Sequence, residues 1–588
     1  MKQFFKFMFA SMLGFMLAFF IAGFIGAMII AGIALSFKDS GEEKVKDNTV
    51  LEIKLDETIV ERGREDPIDF DFSSFTAQNS LGLDEIIKYI DKASGDEHVK
   101  GLFLNLSNIE AGVATLEEIR HALELFKASG KFIYAYSEFY TQGSYYLASV
   151  ADKIYVHPEG GLLFHGLTAQ TLFLKGALEK LEIEPIVIRH GKFKSAVEPF
   201  ILDKMSAESK EQTRSFVGSI WRTYLENIAR SRKLDVTLLD SLADHLVIQN
   251  PEDAVKHKLA DKTAYYDEVL SDLKKASGLQ EKDKERFTEL KKYVKSSASK
   301  GTLSKNKIAV IYAVGPIGGG EGNDETIGSE RVSKAIRKAR LDTSIKAIVL
   351  RVNSPGGSAL ASDVIWRETV LAKKEKPFVV SMGDVAASGG YYISCAADTI
   401  VAEPNTITGS IGVFGLLFNT QKLFNNKLGI TFDTVKTGRY SDIGSGTRPM
   451  TNDERAIIQK QIERIYDRFT GIVADGRKIE KSWVDSIGQG RVWSGTDAKR
   501  IGLVDKLGGL DVAIAVAARM AKLETYRTVQ LPEQKPFFEK LMEDFSTESS
   551  VSAIRRELGD HYSYYRDVKS LMDMHGVQAR MPYRIEIY

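Results

Sequence analysis

Cysteine is almost missing from this chain of 588 residues; Cys395 is the only one. That excludes an internal disulfide and any cysteine-rich metal site. It leaves an extracytoplasmic address open, since a large domain does not need disulfides. Beside Ala396-Ala397 in an apolar stretch, Cys395 reads as a small core residue. Histidine is missing where it would matter for catalysis, with none between His257 and His561. A serine nucleophile in that interval must take its base from far away in the chain or use another residue type. Net charge is missing too, 79 Lys+Arg standing against 79 Asp+Glu, so the chain carries no footprint of a nucleic-acid binder. The run Gly318-Gly319-Gly320-Glu321-Gly322 lacks the Lys-Ser/Thr of a phosphate loop and reads as a flexible loop. No cofactor or metal motif is visible.

Charge is also absent from Phe7 to Phe37. That run exceeds the roughly 20 residues needed to cross a bilayer and the roughly 7–15 of a cleaved signal core. An uncleaved single-span anchor is expected, the alternative being cleavage near Ala31 to Ala34. Lys2 and Lys6 precede the run, and Lys38, Lys44 and Lys46 follow it. Charge bias therefore favours neither orientation.

What is present points to a folded protein of two or more domains, with 44% hydrophobic and 27% charged residues. Val99 to Leu104 matches Ile345 to Leu350 at an offset of 246 positions. The same offset aligns Phe132-Ile133-Tyr134 with Phe378-Val379-Val380, and Tyr145-Tyr146 with Tyr391-Tyr392. It drifts only to 244 by Leu259-Ala260-Asp261 and Leu503-Val504-Asp505. The chain is a tandem duplication. Each unit alternates strand-like runs with amphipathic helices, the pattern of an α/β domain. Ile458, Ile462, Ile465, Phe469 and Ile472 recur at helical spacing behind a Thr451/Glu454 capping box. Phe216, Ile220, Tyr224 and Ile228 form the counterpart stripe, and both are packing faces. The charged segment from Ser271 joins the units, with a strand or ordered arm expected over Phe287 to Val294.

The densest chemistry lies from Pro377 to Gly415. Phe378-Val379-Val380 reads as a buried strand and Tyr391-Tyr392-Ile393 as a helix start, with Ser388 at the turn between them. A serine among small residues there is exposed beside unpaired helix N–H groups, which suits a nucleophile whose oxyanion needs donors. Asn353-Ser354-Pro355-Gly356-Gly357 ends another apolar strand, where bare backbone can approach a carbonyl. Gly356, Gly357 and Gly389 are the candidate oxyanion N–H groups. Read without chemistry, these are two glycine turns of an α/β domain.

The copies differ in a complementary way. Ser388 aligns with Gln142, and Gly356-Gly357 with Glu110-Ala111, so the first unit lacks both the serine and the glycine turn. His190-Gly191-Lys192-Phe193-Lys194 aligns with Thr437 to Ser441, so Lys194 stands where the second unit has Ser441. One copy supplies a serine and the other a lysine, as a composite site between them requires; independent drift with a surface Lys194 is the alternative. A free lysine, with a pKa of about 10.4, is almost wholly protonated at neutral pH. As a base, Lys194 must be buried once the halves meet, with Glu198 turned away from it.

AASGGYY, the NSPGG turn, TGSIGVFG (Thr408 to Gly415) and GKFKSAVEPF (Gly191 to Phe200) resemble the long, duplicated members of the signal peptide peptidase A family. These are membrane-anchored serine proteases with a ClpP/crotonase-type fold, and the likeness covers nearly the whole chain. It implies Ser388 as nucleophile, Lys194 as general base and Ser410 as the hydroxyl that orients the lysine amine. It also implies short apolar substrates left from cleaved signal peptides, and a homotetramer forming a bowl. The implied address is the bacterial cytoplasmic membrane, with the catalytic region on its extracytoplasmic side. The expected architecture is an anchor over 1–47 (span about 7–37), a first ClpP/crotonase-like repeat over 48–270 and a connector over 271–306. A second such repeat follows over 307–540, then a tail over 541–588 whose end adds a strand to a neighbour or frays. A crotonase-like acyl-CoA enzyme and an inactive membrane scaffold are the competing readings.

Overall fold

Strands buried on both faces carry apolar runs, and Ile345–Ser354 holds one from Ala347 to Leu350, wholly enclosed. It lies in one of three large sheets in this computed structural model. The structure describes residues 2–38, 45–63, 70–71, 76–77, 80–284, 286–290, 292–293, 304–534 and 577–581. The first sheet runs Lys262–Thr263, Lys153–Leu162, Phe132–Tyr140, Val99–Asn105, Thr49–Ile53, Phe287–Glu289, all parallel. The second repeats that order with Lys506–Leu507, Thr399–Ala402, Phe378–Ala387, Ile345–Ser354, Lys307–Val314, Arg527–Leu531. The expected duplication and α/β class are thus visible in the topology.

The paired long helices, Ala207–Arg232 and Asn452–Arg477, match in their ends as well as their stripes. Ser206 and Thr451 cap them through side-chain oxygens, the latter in the expected box with Glu454. Both stop at a left-handed lysine, Lys233 and Lys478, each at φ 55°. Phe216, Ile220, Tyr224 and Ile228 are buried, as are Ile462, Phe469 and Ile472.

The two halves are interlocked. Strand Glu184–His190 of the first half leaves its own sheet and pairs antiparallel along Val413–Asn419 of the second. Arg351, fully enclosed, reaches Glu61 Oε2 at 2.7 Å and Glu118 Oε1 at 2.6 Å, both from the first half. Burial works against its charge, but Glu118 and Glu61 outweigh it and hold the guanidinium above the usual arginine range.

Several boundaries move. Helix Tyr266–Ser277 crosses the expected end of the first repeat at 270, because its packing face continues past it. The strand expected within Phe287 to Val294 is present as Phe287–Glu289, and it pairs with Thr49–Ile53 in the first sheet. The glycine run is not a free loop. Ile317–Gly318 pairs with Ile327–Gly328, and Gly320 O accepts the Glu330 N–H at 2.9 Å. Helix Lys2–Lys38 opens the chain, but the expected span falls partly outside the residues whose side chains are described. Among the described residues no helix is long and apolar enough to cross a membrane. Most of the tail, Ile585 and Ile587 included, lies outside the described residues. Its described part, Val577–Arg580, adds a strand within its own chain. Cys395 is buried in the core, its thiol pushed up to about 12 by burial.

Candidate active site

Strand Phe378–Ala387 runs into helix Gly389–Ser394 with Ser388 alone between them, at φ 56° and ψ −110°. L side chains rarely adopt positive φ, and such strain collects where geometry matters. Backbone bonds hold the turn: Ser388 N–H donates to Gly409 O at 2.8 Å, and Tyr392 N–H to Ser388 O at 2.8 Å. Ser410, at φ 50°, follows the neighbouring strand Ile407–Gly409.

Lys194 arrives from the other half. It follows the exchanged strand Glu184–His190 and starts a short 3-10 turn, Ser195–Val197. Phe193 N–H donates to Gln489 O at 3.0 Å, which ties this loop to the second half. Gln212 strengthens the tie, donating to Phe193 O and Ser195 Oγ and accepting the Val492 N–H. The backbones are in close contact, since a Cβ on Gly490 would lie 2.6 Å from Lys194 Cα. Any larger residue at Gly490 would push the lysine out of place.

The two side chains meet. Lys194 Nζ lies 2.8 Å from Ser388 Oγ and 3.0 Å from Ser410 Oγ, and all three residues are 0% exposed. Burial holds the Lys194 amine well below the usual lysine range. The Phe414 ring lies 5.9 Å from Nζ. Glu198 is turned away, accepting from Ser206 N–H and Oγ–H and facing Arg189 at 3.9 Å. Ser441, the second unit's counterpart of Lys194, lies in an exposed loop and bonds only locally to Gly438 O. A buried free amine within hydrogen-bond reach of a strained serine can remove its proton.

The glycines divide. Gly356 N–H is committed to Ser354 Oγ at 3.1 Å, so it is a poor oxyanion donor. A Cβ on Gly356 would collide with the Ala579 carbonyl oxygen and lie 2.7 Å from Gly389 N; one on Gly389 would lie 3.1 Å from the same oxygen. Gly357 is paired in register with Ala579. A carbonyl oxygen thus stands against Gly389 and the Gly356-Gly357 backbone. Sequence reasoning missed Gly490, Gln212 and Ala579. Nothing in composition sets them apart, since each matters through a neighbour distant in the chain. Among the described residues no group of His, Cys, Asp and Glu could hold a metal ion.

The sequence matches the model of peptidase family S49 twice, over residues 125–280 and 371–524. It is 39% identical to Protease 4 of Salmonella typhi over 82% of this chain and 78% of that one. It is 37% identical to Protease 4 of Haemophilus influenzae, over 81% and 77%. It is 34% identical to the chloroplastic serine protease SPPA of Arabidopsis thaliana, over 86% and 74%. A solved ClpP1 variant from Listeria monocytogenes aligns at 18% identity and a TM-score of 0.24, over 35% of this chain and 94% of its own.

Proposed function

Since the chain belongs to peptidase family S49, in the long duplicated form of signal peptide peptidase A, and is a serine-type peptidase, we propose that Ser388 and Lys194 are its catalytic dyad. The observation that carries the reading is the 2.8 Å approach of Lys194 Nζ to Ser388 Oγ, with both residues 0% exposed. Neutral Lys194 takes the Ser388 proton as Oγ attacks a peptide carbonyl, and the ammonium then protonates the leaving amine. A water, deprotonated by the same amine, hydrolyses the acyl-enzyme. Ser410 holds the amine in line, and the N–H groups of Gly357 and Gly389 bind the oxyanion. One such donor is typically worth about 10²–10³ in rate.

The substrates in this reading are short apolar peptides, including remnants of cleaved signal peptides. Each half is a ClpP/crotonase-type unit, and copies assemble as a tetramer that excludes folded proteins. Helix Lys2–Lys38, uncharged from Phe7 to Phe37, anchors the enzyme in the cytoplasmic membrane with the catalytic region outside.

The test compares the parent with Ser388→Ala and Lys194→Ala on an apolar model peptide, alongside labelling by an activated phosphonate. Loss of turnover in both variants, with label on Ser388, is expected. Unchanged turnover in either variant ends the dyad reading.

A further inference from the structure

Strands Lys307–Val314, Ile345–Ser354, Phe378–Ala387 and Thr399–Ala402 follow one another in one direction across the second sheet. Arg527–Leu531 is added on the other side of the first of them. In parallel sheets such a reversal leaves a crevice beyond the carboxyl ends of the strands, a common place for ligands. Here it is a cleft of about 320 Å³, within the range of small-molecule sites. Tyr312 lines it from the first strand, Asn353 from the end of the next, and Pro532 from just beyond the added one; Ile59 and Glu61 of the first half close it. Neither Ser388 nor Lys194 is among its lining residues.

One polar group in this cleft has no use inside the chain. Tyr312 is 8% exposed, yet its hydroxyl makes no hydrogen bond among the described residues. Burial, helped by Asp84 and Glu61, holds the phenol proton on, well above the usual tyrosine range. The hydroxyl is therefore a standing donor. A buried donor without an acceptor costs free energy, and a ligand oxygen would satisfy it.

Most charges around the donor are committed. Glu61 accepts from Arg351 Nε at 2.7 Å and from Asn353 Nδ2 at 2.6 Å. Asp84 accepts from Gly63 N–H at 2.8 Å and from Gln530 Nε2 at 2.6 Å. Arg331 pairs with Asp324 at 2.7 Å. The Arg62 guanidinium lies 5.7 Å from the Tyr312 ring centroid, which puts positive charge beside the donor. Glu325, on the exposed loop that forms one wall, makes no ion pair among the described residues. Val314, Ile327 and Val332 supply apolar surface in the same cleft. An acid group, apolar side chains and an ammonium complement these three features in turn. A short apolar peptide with free ends carries all of them, and hydrolysis of a peptide bond creates such ends.

We propose that this cleft is a second peptide site, apart from the serine-lysine pair, which holds short apolar peptides by their free carboxylate on Tyr312 and their ammonium at Glu325. Peptides of the kind the enzyme releases thus have a place on it outside the reacting centre.

The experiment titrates the full-length Ser388→Ala chain calorimetrically with the tripeptide Ala-Val-Leu, so that turnover does not consume the probe. Binding at a single site is expected, and the C-terminal amide of the same tripeptide should bind roughly tenfold or more weakly. Adding Tyr312→Phe should weaken the free acid by a similar factor. It should leave the melting temperature unchanged, because the hydroxyl holds nothing in the folded chain. Glu325→Gln should weaken the tripeptide but not its N-acetyl form. No binding at millimolar tripeptide overturns the proposal, as does equal affinity for acid and amide. Full affinity in Tyr312→Phe overturns it too, placing the tripeptide elsewhere and leaving the peptidase reading intact.

Discussion

Asp384 of the second half caps a helix of the first: its carboxylate accepts the Thr115 N–H at 2.9 Å and the Thr115 hydroxyl at 2.7 Å. The Ala114 N–H donates to it as well, at 2.9 Å. In the second half, helix Ala359–Lys373 is capped by its own Ser358. The aligned residue in the first half is Gly112, where any Cβ would collide with Asp384. The cap that the second half supplies locally comes, in the first half, from the sister unit and joins the two.

Asp384→Ala should therefore destabilise the protein by about 1–2 kcal/mol, the upper part of the range for a lost N-cap. Urea unfolding checks this. Asp384→Asn should retain part of the loss, since its amide oxygen still accepts. A variant as stable as the parent would show that the cap contributes nothing across the junction.

Lys194 ties stability and activity to pH in the same direction. Its folded-state pKa lies below the unfolded value near 10.5 because of burial. Between the two values the unfolded chain binds a proton that the folded chain does not, so stability rises with pH across that window. Activity should rise through the folded pKa as well, because only the free amine acts as a base. Lys194→Met should be inactive, yet more stable than the parent at neutral pH, with the advantage shrinking as pH approaches 10.5. Thermal melts across pH 6–10, by the magnitudes of ordinary titrations, test it. A Lys194→Met variant less stable than the parent at neutral pH would contradict a neutral buried lysine.

Ser410→Ala removes one hydroxyl from Lys194 and leaves Ser388 in reach. A hydrogen bond of about 1.5 kcal/mol corresponds to roughly tenfold, so kcat should fall by about that factor with KM little changed. Steady-state kinetics separate the two constants. A change confined to KM would argue for a role in peptide binding instead.

Arg351→Leu leaves Glu61 and Glu118 buried without their cation. Breaking a buried pair by removing one partner typically costs about 3–5 kcal/mol, and denaturant titration should show a loss of that order. Removing all three charges together should cost less than removing Arg351 alone. A triple variant no better than the single one would mean the charges do not act as a unit.

Much of this was legible in the residues. Complementary loss at Gln142/Ser388 and Lys194/Ser441 located both candidate dyad members, because duplicated copies can be compared position by position. Helix faces and the Thr451 cap followed from local spacing. Pairing between distant segments was not legible: nothing in Glu184–His190 marks it as a strand of another sheet. Asp384 reads as one acid among many until Gly112 is set beside it. Gly356 resembled a donor, but its N–H goes to Ser354, two residues away. Charge density in the sequence obscures the apolar face of helix Tyr266–Ser277, which runs across position 270.

The exchange of Glu184–His190 onto Val413–Asn419 also sets an order in time. A ribosome delivers the lysine 194 residues before the serine, together with a strand whose mate has not yet been made. Half-synthesised or broken chains thus hold no working pair, and in this reading the enzyme arms itself only when translation has reached its second module.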